Sequence, residues 1–306
     1  MMNAELLVGK YNMLQQLVDE YIAFLSRKGS EEKGSNYNTI VAYRNDLNQL
    51  CRYLLHQGVE RWTEVTRDMV EHCLLEMQQE RQYRPTTIVR KLASFKSFFR
   101  YLCKVGVLTV DPIEDLDAPT VHKNLPHVLE VEQIDNLLAQ VETSTPVGMR
   151  DLAMIHILYA TGMRVSELVA LDIEDLDTGQ SRIHVGRGSN RRRERWLPLT
   201  AEAVQQTQLY VREFRPLLLR NKNETALFVN HHGERLTRQG FWLIIKGYAR
   251  QAGIKDITPH MIRHSFAALM LKKGMELRSV QELLGHAHLS TMYVYNQLLH
   301  IDSTHQ

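Results

Sequence analysis

Arginine and histidine side chains recur in the second half of the chain at spacings that suit chemistry on a phosphate. Arg164 follows a helix-breaking glycine, and His260 and Arg263 lie three residues apart directly after Pro259. Residues with this spacing share one face of a helix. The first turn after a proline exposes backbone N–H groups and the positive end of the helix dipole, which favour an anion. We therefore expect His260 and Arg263 to face an anionic group.

Each of these residues also has an ordinary structural interpretation. His264 lies one turn after His260, as in a metal-ligand pair, but no acid lies between them and Arg263 would repel a cation. A histidine at a helix start and a surface arginine need no ligand. Arg164 could equally be half of an ion pair with Glu167. On these residues alone, both the anion site and the solvated surface stay open.

A predicted β-hairpin carries dense positive charge at its tip. Ile183 and Val185 alternate with polar residues, and this two-residue period is typical of a β-strand. Trp196 and Leu197 then form the returning strand. Five arginines crowd this loop against a single glutamate: Arg187, Arg191, Arg192, Arg193 and Arg195. Such a run can simply be solvated. However, a phosphate backbone would relieve the mutual repulsion of the guanidiniums, which favours contact with nucleic acid.

A third group lies further along the chain. His286 follows a Leu-Gly pair, and Tyr293 and Tyr295 lie on a predicted helical segment after it. A tyrosine is usually an amphipathic core residue, but a phenolic oxygen can also form a covalent phosphoester. Two arginines, two histidines and a tyrosine can together build a phosphoryl-transfer site, because arginines bind phosphate oxygens and stabilise transition-state charge. The sequence predicts no cofactor and no metal for this chemistry.

The elements that must position these groups are mainly helical. In the first third, apolar residues recur at spacings of three, four and seven: Ile40, Leu47, Leu50, Cys51, Leu54 and Leu55. A second stripe of the same period follows Pro85: Ile88, Leu92, Phe95, Phe99 and Leu102. In the second half, helices are predicted over 131–141 and 150–160, and again from Arg164 to Leu168. The fold class is therefore mainly α, with one small antiparallel sheet.

Three prolines mark a boundary between two domains. Pro112, Pro119 and Pro126 fall in an acidic, aperiodic stretch, which is typical of a linker. We predict a helical N-terminal domain over 1–115, a linker over 116–127 and a second domain over 128–306. A length of 306 residues fits about two domains.

The composition excludes several classes of protein. Lys plus Arg is 37 and Asp plus Glu is 35, for a formal charge of +2, so a nucleic-acid site must come from local clustering of charge. Cys51, Cys73 and Cys103 form no CxxC pair, which argues against a disulfide scaffold and a thiolate zinc site. No signal peptide and no bilayer-length apolar run is apparent, so we expect a cytoplasmic protein without a membrane partner.

Three ordered segments resemble the signatures of tyrosine recombinases of the Xer and phage-integrase type. They read ATGMRVSEL, HMIRHSFA and LLGHAHLSTMYVYNQL. In the N-terminal part, SNYNTIVAYRNDLNQLCRYL and RPTTIVRKLASFKSFFRYLCKVG resemble the helices of the family's SAM-like core-binding domain. The resemblance spans nearly the whole chain. It implies a helical DNA-binding domain followed by a mainly helical catalytic domain with a small sheet.

The resemblance also implies roles, position by position. Arg164 and Arg263 match the arginines that clamp the scissile phosphate. His260 and His286 match residues that assist by hydrogen bonding and proton handling, and Tyr295 matches the nucleophile.

Three further positions match supporting or neighbouring residues of the family, and one departs from it. Glu167 matches the acid that supports the first arginine, His264 a mostly structural histidine, and Tyr293 a tyrosine that points elsewhere. The family places a lysine at the hairpin tip as general acid, where this chain has Arg187. A guanidinium with a pKa above roughly 12 is a poor proton donor, but Arg187 could still neutralise the leaving oxygen.

The function that the resemblance implies is site-specific recombination of double-stranded DNA at the bacterial nucleoid. Strands would be cut and rejoined through a 3′-phosphotyrosine and a Holliday junction, by a homotetramer on two DNA sites, with or without a second recombinase. Chromosome-dimer resolution, transposon resolution and element integration all stay open. The alternatives are a type IB topoisomerase-like enzyme that relaxes DNA and a catalytically weakened DNA-binding accessory protein. Predicted DNA contacts are the basic residues of the first domain and of the hairpin tip: Arg44, Arg90, Lys91, Lys96, Arg191, Arg192 and Arg193.

Overall fold

The structure, a computed structural model, describes residues 4–31, 37–80, 82–119, 127–186 and 194–285. The chain divides into two compact units, Met1–Lys123 and Asn124–Gln306. Across the described ranges, no helix combines the length and apolar content that a membrane span needs.

Helices form the first unit, and the bounds of its longer elements are α1 Ala4–Glu31, α2 Tyr37–His56, α3 Arg67–Gln79 and α4 Pro85–Lys104. The predicted apolar stripes of α2 and α4 are confirmed, since these two helices pack against each other. A 3₁₀ turn, Trp62–Glu64, closes one end of the core, where the indole N–H of Trp62 donates to the carbonyl of Leu14 (3.0 Å). Ile113 and Leu116 are buried in the same core, so the packed unit reaches one residue into the predicted linker.

A buried ion cluster joins α2 to α4. Asp46 and Lys91 are each 1% exposed, and the ammonium of Lys91 donates to Asp46 Oδ1 (2.9 Å) and Gln49 Oε1 (2.8 Å). The half-exposed guanidinium of Arg90 grips the same carboxylate through both of its terminal nitrogens. The expectation that Lys91 contacts DNA is therefore wrong, because its ammonium group is buried and paired with Asp46.

The second unit is also mainly helical. Its helices are α5 Val131–Ala139, α6 Pro146–Thr161, α7 Val165–Leu168, α8 Ala201–Leu209, α9 Arg215–Leu218, α10 Arg238–Gln251, α11 Pro259–Lys272 and α12 Leu277–Leu284. A single π-helical turn, Tyr210–Phe214, joins α8 to α9. Helix α6 is buried on nearly all sides and packs against α8 and α11, as its uninterrupted apolar sequence predicts.

Gly162 ends α6 and permits close packing there. Its backbone is left-handed (φ +59°), a conformation that glycine adopts at no steric cost. A β-carbon at this position would lie 2.3 Å from Cδ1 of Phe266 on α11. Only glycine therefore lets α11 approach the turn between α6 and α7.

The small sheet has three antiparallel strands in the order β1 Leu176–Asp177, β2 Arg182–Val185 and β3 Arg195–Pro198. The predicted hairpin of β2 and β3 is confirmed, with Ile183 opposite Leu197 and Val185 opposite Arg195. Strand β1 was not predicted, since two residues are too few for a period to appear.

His184 departs from the alternation that the sequence predicts for β2. It is 8% exposed, because the ring of Trp196 stacks on it with centroids 4.6 Å apart. Its Nε2 lies 3.1 Å from Glu194 Oε1, at the described base of the hairpin tip. A cross-strand aromatic pair therefore buries a residue that period-two patterning places outward.

Replacing Lys91 with methionine should destabilise the first unit by about 3 kcal/mol. Removing one partner of a buried ion pair leaves the other charge without compensation, which typically costs roughly 3–5 kcal/mol. We expect a loss at the low end of this range because Arg90 still holds Asp46.

Urea unfolding followed by the fluorescence of Trp62 measures this change. Trp62 is the tryptophan of the first unit, so both tryptophans of the second unit are first replaced by phenylalanine in every variant. The control is Lys104→Met on the last turn of α4, where the exposed lysine lies over the ring of Phe24 and should contribute less than about 1 kcal/mol. Equal destabilisation by the two substitutions would contradict the buried role of Lys91.

Candidate active site

Arg263 is held rigidly in the interior of the second unit. Helix α11 begins at Pro259, and the Thr258 hydroxyl caps it by accepting the N–H of Met261 (3.2 Å). One turn later Arg263 is 3% exposed. Its two terminal nitrogens donate to the carbonyls of Gly162 (2.7 Å) and Leu284 (2.6 Å). The guanidinium therefore joins the end of α6 to the end of α12.

Arg164 reaches the same end of α12 from another element. It precedes α7 with extended backbone, and its Nη2 donates to the carbonyl of Gly285 (2.9 Å). Its side chain is 32% exposed. Arg164 and Arg263, ninety-nine residues apart in sequence, thus bind consecutive carbonyls, those of Gly285 and Leu284. Leu284 and Gly285 are the two residues that precede His286 in the chain.

Glu167 holds Arg164 in place from both ends. Its carboxylate accepts the backbone N–H of Arg164 (2.8 Å) and its guanidinium (3.1 Å). The same carboxylate accepts two hydrogen bonds from Arg195 of β3. Burial alone would raise the pKa of Glu167, but the hydrogen bonds and charges of Arg195 and Arg164 outweigh it and lower that pKa. Glu167 is therefore an anion shared by two arginines.

His260 is exposed at the first turn of α11, beside these arginines. Partial desolvation lowers the pKa of His260 below its ordinary value, and three nearby positive charges lower it further. They belong to Arg263, Arg164 and Arg238. The imidazole of His260 is therefore protonated less readily than an ordinary histidine, and in its neutral form it can donate one hydrogen bond and accept another.

His264 is more deeply placed than His260 on the same helix. Burial, then the proximity of His260 and Arg263, lowers its pKa to about 4. The two rings are 6.4 Å apart, and the described residues contain no group of three metal-type side chains that could hold an ion. A cation would also meet the charge of Arg263.

The described residues bring three arginines together near the exposed imidazole of His260. The carbonyls that bind Arg164 and Arg263 are neutral, so these contacts fix the side chains without adding negative charge. Glu167 offsets one of the two charges of Arg164 and Arg195. A phosphate could be bound there by charge-assisted hydrogen bonds. The same donors could stabilise the extra negative charge of a pentacovalent transition state.

Models of two known domain families match the chain. The phage integrase family matches residues 127–300, and the phage integrase N-terminal SAM-like domain matches residues 18–106. Tyrosine recombinase XerC of Herpetosiphon aurantiacus is 45% identical over 286 residues, which cover 93% of this chain and 91% of that protein. Tyrosine recombinase XerD of Listeria monocytogenes is 40% identical over 297 residues, covering 93% and 95% respectively.

The chain belongs to the phage integrase family of tyrosine recombinases.

Two solved structures share the fold of this recombinase. XerH site-specific recombinase bound to difH substrate, in a pre-cleavage complex, has a TM-score of 0.72 at 22% identity and covers 97% of each chain. The Tn1549 transposon integrase in complex with a circular intermediate DNA has a TM-score of 0.74 at 19% identity, covering 92% of this chain and 94% of that one. The predicted fold class, helical with a small antiparallel sheet, is confirmed.

Several predicted site residues of the recombinase lie outside the residues that the structure describes. They are Arg187, Arg191, Arg192 and Arg193 of the hairpin tip, and His286, Tyr293 and Tyr295 near the end of the chain. Their roles stay predictions. The described residues fix the two anchors from which these segments leave, namely the ends of β2 and β3 and the end of α12.

The other predicted DNA contacts lie on the first unit. Arg44 is exposed and lies 3.7 Å from the carboxylate of Asp19. Arg90 is half-exposed but committed to Asp46, and the ammonium of Lys96 donates to the carbonyl of Glu114 (2.7 Å). The roles of these three residues as DNA contacts stay predictions.

Sequence reasoning missed two arginines of the candidate site. Arg195 was counted with the charges of the hairpin tip, although it directly precedes the apolar pair that marks β3. Arg238 begins α10, after the capping residue Thr237, and is brought near His260 only by tertiary packing. No sequence signal reveals the second contact.

Replacing Arg238 with glutamine should raise the pKa of His260 towards its ordinary value. The substitution removes a positive charge that disfavours the imidazolium, so His260 becomes protonated at a higher pH than in the wild type. A proton NMR titration of the DNA-free recombinase measures the shift, with the His260 resonance assigned through a His260→Asn variant.

Arg250→Gln provides the matched control, because Arg250 lies on the last turn of the same helix. It should leave the titration of His260 unchanged. An equal shift in both variants, or none in Arg238→Gln, would contradict the placement of Arg238 beside His260.

Proposed function

We propose that this recombinase cuts and rejoins double-stranded DNA at a specific site through a 3′-phosphotyrosine intermediate. The observation that carries the proposal is the convergence of Arg164 and Arg263 on the end of α12, beside an exposed His260. In the chain, His286 follows Gly285 directly, and Tyr295 follows nine residues later. Both arginines thus bind the backbone of the two residues that precede the segment with the proposed nucleophile.

The proposed reaction is a balanced exchange of phosphoesters. The phenolic oxygen of Tyr295 loses its proton and attacks the scissile phosphorus, and the bond to the 5′ oxygen breaks. The 5′ oxygen takes up a proton and leaves as a hydroxyl. The 5′ hydroxyl of a partner strand then attacks the phosphotyrosine and releases Tyr295. One phosphoester is always replaced by another, so the sequence of steps requires no hydrolysis of ATP.

Each basic residue has a place in this exchange. Arg164 and Arg263 bind the nonbridging oxygens and stabilise the charge of the transition state. The imidazoles of His260 and His286 donate hydrogen bonds to the phosphate or accept the tyrosine proton. Arg187 neutralises the 5′ oxygen as it leaves. The low pKa of His260 supports a role as acceptor or neutral donor rather than as a fixed cation.

The two units divide the work in this proposal. The first domain (1–115) contacts DNA with its exposed basic residues, and the second domain (128–306) carries the chemistry. Four protomers on two DNA sites, of one kind or together with a second recombinase, would perform two rounds of exchange through a Holliday junction. A protein with this substrate would work at the nucleoid, in the cytoplasm. The DNA site that it recognises would decide between dimer resolution, transposon resolution and integration.

Replacing Tyr295 with phenylalanine should abolish covalent attachment to DNA, because the nucleophilic oxygen is lost. DNA affinity should change little, since only one hydroxyl is removed. A nicked suicide substrate, which traps the phosphotyrosine after the cut, measures adduct on a denaturing gel, and a gel shift measures binding.

The matched control is Tyr293→Phe on the same segment, which should still form the adduct. Loss of the adduct in Tyr293→Phe with persistence in Tyr295→Phe would reassign the nucleophile. An absence of adduct from the wild type would leave a DNA-binding accessory protein. Relaxation of a plasmid without recombination between two sites would mark a topoisomerase-like enzyme.

Replacing Arg187 with lysine should preserve or raise the rate of cleavage. An ammonium with an ordinary pKa of about 10.4 can give a proton to the leaving 5′ oxygen, whereas a guanidinium is a poor donor. Single-turnover cleavage of the suicide substrate measures the rate, with Arg187→Ala as reference.

A substrate with sulfur in place of the 5′ bridging oxygen tests the reason for this result. A thiolate leaves without a proton, so the advantage of lysine over arginine should vanish on this substrate. A loss in Arg187→Lys larger than that in Arg187→Ala would instead show that the position requires the geometry of arginine.

A further inference from the structure

Arg195 has the contacts of a residue that organises the site rather than one that merely carries charge. Its side chain is 13% exposed. The two terminal nitrogens donate to the two oxygens of Glu167 (3.2 and 3.1 Å), and Nε donates to the carbonyl of Leu283 (2.8 Å). The planar guanidinium thus joins a carboxylate of α7 to a carbonyl of α12, a geometry that a lysine cannot reproduce.

The contact with Leu283 completes a series. The last carbonyls of a helix have no partner within the helix. At the end of α12 three consecutive ones are bound by three arginines: Leu283 by Arg195, Leu284 by Arg263 and Gly285 by Arg164. Positive charge at a helix C-terminus also complements the helix dipole. Arg195 therefore helps to fix the backbone immediately before His286.

Gly285 packs closely against the guanidinium of Arg195. The residue is left-handed (φ +63°), and a β-carbon there would lie 3.2 Å from both Cζ and Nη1 of Arg195. The guanidinium thus lies against the bare backbone of the turn. This contact restricts where the chain leaves α12.

The position of Arg195 in the chain gives these contacts a consequence. It is the first residue of β3, so it follows the hairpin tip directly. The residues that it holds are Glu167, which fixes Arg164, and the turn that leads to His286. A shift of the hairpin would be transmitted through this one side chain to both.

We propose that Arg195 is a positioning residue that fixes β3, the phosphate-binding Arg164 and the end of α12 in one geometry. The inference rests on the proposed function, since it assigns the alignment of groups for strand cleavage. Arg195 touches neither the phosphate nor the leaving group in this scheme. It acts through Glu167 and the carbonyl of Leu283.

The experiment compares Arg195→Met and Arg195→Lys with the wild type in single-turnover cleavage of the suicide substrate. Arg195→Met should cleave ~10- to 100-fold more slowly, as expected when reacting groups lose alignment. The affinity for uncut DNA should stay within about twofold of that of the wild type. Arg195→Lys should recover only part of the rate, because an ammonium cannot span Glu167 and Leu283 together.

A pH profile separates positioning from a general loss of structure. Without Arg195, burial would raise the pKa of Glu167, so its carboxylate would be protonated at a higher pH. As the pH is lowered, the cleavage rate of Arg195→Met should therefore begin to decline at a higher pH than that of the wild type. Arg182→Gln is the matched control in the same sheet, because Arg182 pairs with Asp177 and lies over Trp196. It should keep the wild-type profile.

The outcomes are distinct. If the wild type forms no adduct, the proposed function fails and the positioning role fails with it. If the wild type cleaves and Arg195→Met cleaves equally fast with an unshifted acid limb, only the positioning role is overturned. Where Arg195→Met loses its cooperative thermal transition, the rate and pH profile of Arg195→Lys decide. If both variants lose that transition, Arg195 is structural and the proposal is wrong.

Discussion

The candidate site in the second unit depends on one constraint, which is that buried guanidinium groups must find hydrogen-bond acceptors. A charged side chain removed from water is costly unless its donors are satisfied, and Arg263 and Arg195 are almost wholly removed. The acceptors come from the end of α12, where the helix cannot use its own carbonyls, and from the turn at Gly162. The arginines need the helix end to be satisfied, and the helix end needs the arginines. Each therefore fixes the position of the other, and this mutual requirement builds the candidate site.

Each unit contains a carboxylate that two basic side chains share. In the first unit Asp46 takes both Lys91 and Arg90, so that cluster holds two helices together. In the second unit the two arginines that share Glu167 are accompanied by the exposed imidazole of His260. Desolvation lowers the pKa of His260, and nearby arginine charges lower it further. Positive charge in the second unit therefore acts on an exposed titratable group, whereas the cluster in the first unit joins two helices.

The sequence was sufficient for elements whose signal is local. The stripes of α2 and α4, the apolar α6 and the β2–β3 hairpin follow from period, and the pairing of Arg164 with Glu167 follows from their spacing. It was insufficient where a partner comes from elsewhere in the chain. Lys91 stands three residues after Ile88 and four before Phe95, so the same period could have placed it inward, but it does not name Asp46 as the partner. Arg195 appeared as one more charge of a basic loop because Glu167 and Leu283 are distant in sequence.

Fixing arginines on neutral carbonyls also bears on how a phosphate would be bound. A free arginine side chain has about 2 kcal/mol of rotamer entropy to lose when it engages a ligand. In Arg164 much of that loss has already occurred on folding, since Glu167 and the carbonyl of Gly285 hold the side chain. Binding then requires less reorganisation, which is the general advantage of a preorganised site. Arg195 extends this order to the hairpin, because its guanidinium shares Glu167 with Arg164. The arginines of different elements would thereby be aligned before a phosphate is bound.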